Sequence, residues 1–453
     1  MSRRDCDLSC LRSSHSHFNH KDHKSRRDVK RINVVTAFHQ DWLHKRDAVI
    51  KSPFSKTFLS TIASHTLYID TYHCVLYEYF DKYKFYLIVG DYWFEKLGLY
   101  LPHSKEVLLC RPTPIDIREM LQIFSFKNTL KIKQPRLAPN QIGLVMYHDH
   151  LAHHIMNELN GIQQLISNDQ IKKVDKLYYC TTPYGSLQEI FPEIPKDKLH
   201  KVSRAKINSQ KIKENTLILP YQTVRLAQET INRLISYSSR KNPTLVEHIT
   251  NKKQDYDLRI WISIRTGNRV LDNQIHLLKE IIKELESRGL SVIFIVDGYS
   301  KPYEVSERET GYYKEIIIEE KKIISQLKSA SLPYLDLVDQ PIDEVILWTQ
   351  AANCYLCHSG TLHHKISWFA DIPGLVHSNK YFSDLPNHLL PGMTEKKWKH
   401  QPVRVPPFSI KDLKTAAHSR SKTALPEKFN NYELIVEATK ELFLQILRDN
   451  GLV

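Results

Sequence analysis

The 453-residue sequence has no uninterrupted run of about eighteen apolar residues, so no membrane-spanning helix is expected from it. Its first 32 residues hold no apolar core of the kind a signal peptide needs. Cysteine is sparse: seven residues, odd in number and scattered, which excludes a disulfide framework and fits a reducing compartment. Neither G-x-G-x-x-G nor G-x-x-x-x-G-K-[ST] occurs, which argues against dinucleotide dehydrogenases and P-loop enzymes. H-E-x-x-H is missing too, and nothing repeats with a period of roughly 20–50 residues. These absences leave a cytoplasmic globular protein as the expectation, with peripheral contact at the inner face of a membrane as an option.

What is present is ordinary in bulk and uneven in charge. The chain is 42% hydrophobic and 25% charged, and its length suits two or three domains. A net charge of +14 favours an anionic partner, whether nucleotide, anionic membrane, polyanion or nucleic acid. Residues 1–32 carry nine Lys/Arg against four Asp and are expected as a disordered basic tail. The tail reads either as an electrostatic tether to an anionic surface or as a solvated terminus.

From Thr66 to Cys110 the pattern is β-rich, with a hairpin connection at Asp81–Lys84, and predicts a small antiparallel meander. A helical piece over Asp116–Phe124 follows among prolines. From Ile142 strands and helices alternate: GLVMYH, then LAHHIMNELNGIQQLI, strands near Leu177 and Thr216, and a helix over 224–236. The polar, basic stretch 237–257 reads as a linker. A second alternating series runs from LRIWISI (258–264) through LSVIFIVD (290–297) and YLDLVD (334–339), with helices between and Pro341 at a first helical position. It predicts a largely parallel sheet. The segment 431–453 reads as an amphipathic helix with Leu434, Ala438, Leu442 and Ile446 on one face, able to cross back over the first α/β domain.

The stretch from Asn353 to Asn379 organises the second series. Cys354–Cys357 reads as a buried strand, so its C-x-x-C is two small hydrophobes rather than a redox pair. Ser359, Gly360 and Thr361 form a turn into an apolar helix, and Gly374–His377 is another strand. The turn can be a plain N-cap or an anion site. Parallel strands with right-handed crossovers bring their C-terminal ends to one edge. That edge would carry Arg265, Asn268 and Arg269, then Asp297, Asp339, His358 to Thr361, and His377 with Asn379. Two arginines converging with a Ser-Gly-Thr helix start favour a diphosphate site. The cluster His148–His154, ending in Asn157 and Glu158, places His150 and His154 at i, i+4. It reads as a general base after a strand or as ordinary helix-start residues, with zinc the weakest reading.

Two α/β domains with phosphate-binding groups in the second and a closing C-terminal helix resemble GT-B glycosyltransferases, and within them the family-61 type. LVDQPIDEVILWTQAANCYLCHSGTLHHKISWF matches its order of acidic helix, strand, His-Gly turn and apolar helix, with His358-Ser359-Gly360-Thr361 where that family tends to have His-Gly-Ala. ISIRTGNR is similar to the H-x-R-x-x-D loop of fucosyltransferases, with Ser263 and Asn268 in the outer positions. The resemblance implies an α/β fold of two Rossmann-like domains with an N-terminal antiparallel meander. It implies an acceptor domain over 33–236, a nucleotide-sugar domain over 258–400 and a crossing segment over 401–453.

The activity so implied is sugar transfer from a nucleotide-sugar donor to a glycan or glycolipid acceptor, in surface polysaccharide synthesis, without metal or other cofactor. The two D-x-D triplets, Asp5-Cys6-Asp7 and Asp255-Tyr256-Asp257, lie on no loop that follows a strand. The base would be His150, with Asp149 or Glu158 as alternatives. Arg265, Asn268, Arg269, Asp297, His358, Ser359, Gly360 and Thr361 would hold the donor. The rival readings are a nucleic-acid or polyanion-binding protein, against which basic and acidic residues are interspersed outside the tail, and a non-catalytic anion- or carbohydrate-binding protein of the same fold.

Overall fold

The computed structural model describes residues 49–52, 54–55, 57–61, 63–69, 72–90, 98–104, 106–109, 141–203, 216–219, 223, 226–252, 254–305, 310–384, 399–413 and 426–453. The expected tail over 1–32 and the expected helix over Asp116–Phe124 lie outside the described residues. The chain forms two compact units. One comprises Met1–His148, His153–Thr181 and Phe191–Val224, the other Asp149–Ala152, Thr182–Ile190 and Arg225–Val453. No helix among the described residues is long and apolar enough to cross a membrane.

The first unit contains the expected meander, five antiparallel strands in sequence order: Ala63–Ile69, Tyr72–Phe80, Lys84–Gly90, Gly98–Leu101 and Glu106–Leu109. The hairpin closes where Phe80 pairs with Lys84. Phe85, Tyr86, Leu87 and Ile88 are consecutive and all buried, so both faces of that strand are covered. The same unit holds a four-stranded parallel sheet in the order Leu199–Lys201, Lys176–Tyr179, Gln141–Met146, Thr216–Leu219. The Leu199 strand has no apolar signature, because it is a polar edge strand.

The second unit is built on a six-stranded, all-parallel sheet in the order Tyr334–Asp336, Val292–Asp297, Leu258–Ser263, Cys354–His358, Gly374–His377, Val403–Arg404. Numbered along the chain this order is 3-2-1-4-5-6, the doubly wound arrangement whose switch point falls between the Leu258 and Cys354 strands. Cys354 belongs to the apolar cluster of one face and Cys357 to that of the other, so the two thiols cannot meet. The sixth strand is two residues long and gives no periodicity to read.

Three segments differ from what the sequence pattern predicts. The stretch 237–257 is not an extended linker, since the helices Gln228–Lys241 and Pro243–Lys252 run through it, with Tyr237 and Ile249 buried. Pro341 is an N-cap rather than a first helical residue. The last helix spans Val436–Asp449, and Asn431–Leu434 ahead of it is a strand paired antiparallel with Ile410–Leu413. Its buried stripe is Phe443, Leu444, Ile446 and Leu447, while Ala438 is exposed. That stripe packs into the second unit's own core with Leu277, Leu278, Ile281 and Leu285. Each of these side chains contributes about 2 kcal/mol by burial, which ties the helix to this sheet.

Candidate functional site

The loop after the Leu258 strand is held from several sides. Asn431 Oδ1 accepts the Val270 N–H at 3.0 Å, and Asn273 exchanges two hydrogen bonds with the Leu434 backbone. Within the loop, Arg265 Nε donates to the Asn268 carbonyl at 2.8 Å and a terminal nitrogen donates to Asn268 Oδ1 at 3.0 Å. Arg269 Nε lies 3.5 Å from the same Oδ1. Asn268 therefore orients both arginines. Arg269 has φ +55°, unusual for a side chain of its size, and its guanidinium lies 4.6 Å from the Phe382 ring centroid. Among the described residues no carboxylate lies within ion-pair distance of Arg269. Burial, and then the neighbouring Arg265 charge, bring its pKa down to about 9.

The Cys354 strand delivers the second half of the site. The His358 N–H donates to Ser263 Oγ at 2.6 Å, which joins the ends of the two switch-point strands. Ser359 N–H donates to the His377 carbonyl at 2.8 Å, joining the next strand. Gly360 then takes φ +117°, ψ −149°, a conformation essentially closed to residues with a Cβ, and caps the helix Thr361–Phe369. Its first turn leaves N–H groups without intrahelical acceptors beside the half-exposed Ser359 and Thr361. Gly360 is the N-cap itself and supplies no side-chain hydrogen bond to that turn.

His358 and His377 are not solvent-facing ligands. Both are buried, with ring centroids 5.8 Å apart. His358 Nδ1 lies 2.6 Å from the Ser359 carbonyl, so that nitrogen carries the proton. Burial, then the Arg265 charge, hold the His358 pKa well below its ordinary value. Burial brings His377 down to about 3, and its Nδ1 meets the Tyr432 hydroxyl at 2.6 Å. Two neutral imidazoles under two arginines add no further positive charge. Asn379 caps the short helix Lys380–Ser383 and donates to the carbonyls of Glu427 and Asn430, both at 3.1 Å. This fixes Phe382 beneath Arg269. The roles of Tyr432 and Phe382 left no signal in the sequence, because both depend on segments that meet only in the folded chain.

Asp297 does not join this group as an exposed ligand. It is fully buried and paired with Lys365 at 2.6 Å, and Lys365 also donates to the Gly298 carbonyl and Ser300 Oγ. The ion pair locks the helix that begins at Thr361 to the end of the Val292 strand. Nearby, Glu320 Oε2 accepts the Tyr299 N–H at 2.7 Å, and Gly298 leaves the room it occupies. Burial raises Asp297 to about 6 and Glu320 to about 7. Carboxylates whose folded pKa is raised keep protons that the unfolded chain has released, so stability falls as pH rises from about 4 to about 7. Glu320→Gln keeps the acceptor oxygen and removes the charge. It should flatten this slope and raise stability at pH 8 by ~2 kcal/mol, measured as denaturant midpoints at pH 5 and pH 8.

Asp149–Ala152 belongs to the same unit as the Thr361 helix. His150 is exposed, and its Nε2 lies 3.5 Å from Thr361 Oγ1; Asp149 is half-buried. Glu158 has a different place. It is buried in the first unit, where it accepts the N–H groups of Tyr147 at 2.6 Å and His148 at 3.0 Å and meets His154 Nδ1 at 2.9 Å. It secures the end of the Gln141 strand, and its carboxylate is occupied. It lies on a π-helical segment, His154–Leu159, that the plain helical period did not foreshadow. Asp339 receives a hydrogen bond from Tyr313 and has φ +69°. Among the described residues no three His, Cys, Asp or Glu side chains gather as a metal site.

No protein-family model matches the chain, and no curated protein matches it. Solved structures overlap it loosely. A glycosyl transferase family 9 protein from Veillonella parvula is 9% identical, covering 68% of this chain and 96% of its own, with a TM-score of 0.34. The E. coli ADP-heptose lipopolysaccharide heptosyltransferase II is 10% identical over 67% of this chain and 99% of its own, TM-score 0.28. A Burkholderia xenovorans α,α-trehalose-phosphate synthase (UDP-forming) is 11% identical over 69% of this chain and 68% of its own, TM-score 0.28.

Proposed function

We propose that the protein is a glycosyltransferase of GT-B type that binds the diphosphate of a nucleotide-sugar in its second unit. One observation carries this reading. Arg265 and Arg269 are oriented by Asn268 on the switch-point loop, partly buried, next to a glycine-capped helix start. The Arg269 guanidinium, half-buried beside the Arg265 charge and without a carboxylate among the described residues, is costly until an anion with several oxygens arrives. A diphosphate satisfies both arginines and the helix N–H groups, and the same positive charge stabilises it as a leaving group without a metal. Asn268, Ser359 and Thr361 complete the donor contacts. His358 and Asp297 act from below, holding the loops. His150 is the base that deprotonates the acceptor hydroxyl, with Asp149 as the alternative. The acceptor is a glycan or glycolipid of a surface polysaccharide.

The test is a thermal-shift panel of UDP, GDP, CMP and ADP on the full chain, with Arg265→Ala alongside. A ligand at about 100 times its Kd stabilises the native state by ~2.7 kcal/mol. One nucleotide diphosphate should raise the melting temperature of the parent and leave Arg265→Ala unmoved. If none shifts the parent, the donor-site reading fails.

A further inference from the structure

We propose that one end of the antiparallel sheet in the first unit docks on an anionic lipid bilayer. Three turns meet there. Ser52–Thr57 is closed by the Ser52 N–H to the Thr57 carbonyl at 2.7 Å. It is fixed to the Asp81–Tyr83 hairpin by the Ser52 hydroxyl on Asp81 and by the Phe54 ring, edge-on to Phe85 at 5.4 Å. The hairpin is fixed to the third turn, residues 102–104, by Tyr83, stacked on the exposed His103 at 4.6 Å. From this end project Phe54, Phe58, Phe80 and Tyr83, which are 44%, 78%, 58% and 43% exposed. Four large aromatic rings left in water, Phe54 and Tyr83 on braced turns and Phe58 and Phe80 at the strand ends beside them, mark an interaction surface.

Charge selects the partner. Lys82 sits 5.7 Å from the Tyr83 ring centroid, and Lys51 pairs across from Phe58. Neither lysine makes an ion pair among the described residues. The acids are occupied: Glu78 is buried against Lys84 at 2.7 Å, and hydrogen bonds from Ser52 and then Ser55 hold the Asp81 carboxyl below its usual range. A platform for neutral sugars would set unoccupied carboxylates or amides beside its rings, whereas here Asp81 is taken up by Ser52, the Ser55 and Thr57 hydroxyls bond to each other, and the charged groups without an ion pair among the described residues are Lys51 and Lys82. Aromatic rings flanked by lysines suit the water–lipid boundary, with the rings at headgroup depth and the cations on anionic phosphates. This surface stands independently of the donor-site reading.

The test compares the full chain with Phe58→Ser/Phe80→Ser and with Lys82→Glu. Partition is measured into vesicles containing about one third phosphatidylglycerol in phosphatidylcholine, and into phosphatidylcholine alone. The basic N-terminal sequence also favours anionic vesicles, so each measurement is repeated at about 0.5 M salt, where the screening length falls to roughly 4 Å. The double variant should melt as the parent does and partition at least about tenfold more weakly at both salt concentrations. Lys82→Glu should weaken binding only to the anionic vesicles. Equal partition of parent and double variant would overturn the proposal. So would self-association without vesicles that the phenylalanine changes abolish, which would assign the surface to a second copy. Retention on a neutral glycan resin lost in the double variant, with vesicle partition intact, would assign it to carbohydrate.

Discussion

Arg269→Met is expected to weaken nucleotide-diphosphate binding by about 30- to 100-fold while leaving the melting temperature unchanged or raised. The two halves of this result come from one geometry. A charge-assisted hydrogen bond to phosphate contributes about 1.5–3 kcal/mol, and every 1.4 kcal/mol is tenfold in affinity. Without ligand, the Arg269 guanidinium is half-buried and repelled by Arg265, and no ion pair compensates it among the described residues. Methionine preserves the contact with Phe382 and removes the charge. A structural arginine would behave oppositely, since its loss would lower stability and leave binding alone. Arg265→Lys should lose about tenfold despite keeping the charge, because an ammonium cannot present two parallel N–H groups. Thr361→Ala should cost about fivefold, a single neutral hydrogen bond. Isothermal titration with the nucleotide found in the panel, paired with thermal melts, separates these outcomes. Unchanged titration curves for folded Arg265 and Arg269 variants would remove the donor site.

His150→Ala is expected to lower sugar transfer by about two to four orders of magnitude with donor affinity nearly unchanged. His150 is exposed beside Thr361, so its removal should change stability by less than about 0.5 kcal/mol. Glu158→Gln gives the contrast. That carboxylate accepts two backbone N–H groups in a buried position, so its replacement should show first as a loss of stability. Single-turnover rates at saturating donor, measured with melting curves, distinguish the two. A large rate loss for Asp149→Asn with an active His150→Ala would move the base by one residue. Full activity in both would place the base outside this cluster.

Elements whose signal is local are legible in the residues alone. Apolar runs ending in Ser263, Asp297 and His358 give the parallel strands, because strands buried on both faces must be apolar throughout. The β-rich run near Asp81 gives the meander and its hairpin for a similar reason. Arg265, Asn268, Arg269 and the Ser359-Gly360-Thr361 turn were legible because crossover handedness sends every strand end to one edge. Which strand-end residues face that edge and which serve the interior depends on partners that the folded chain brings together. Asp297 and Glu158 have the same sequence signature as ligands or bases, yet Lys365 occupies one and backbone N–H groups the other. Tyr432 reaches His377 because Asn431–Leu434 pairs as a strand, although its residues fit the helical period of the segment that follows. Pairing of that kind depends on Ile410–Leu413, which lies outside that segment. A periodicity reports which side of a segment is apolar, and it carries no record of the partner that segment will meet.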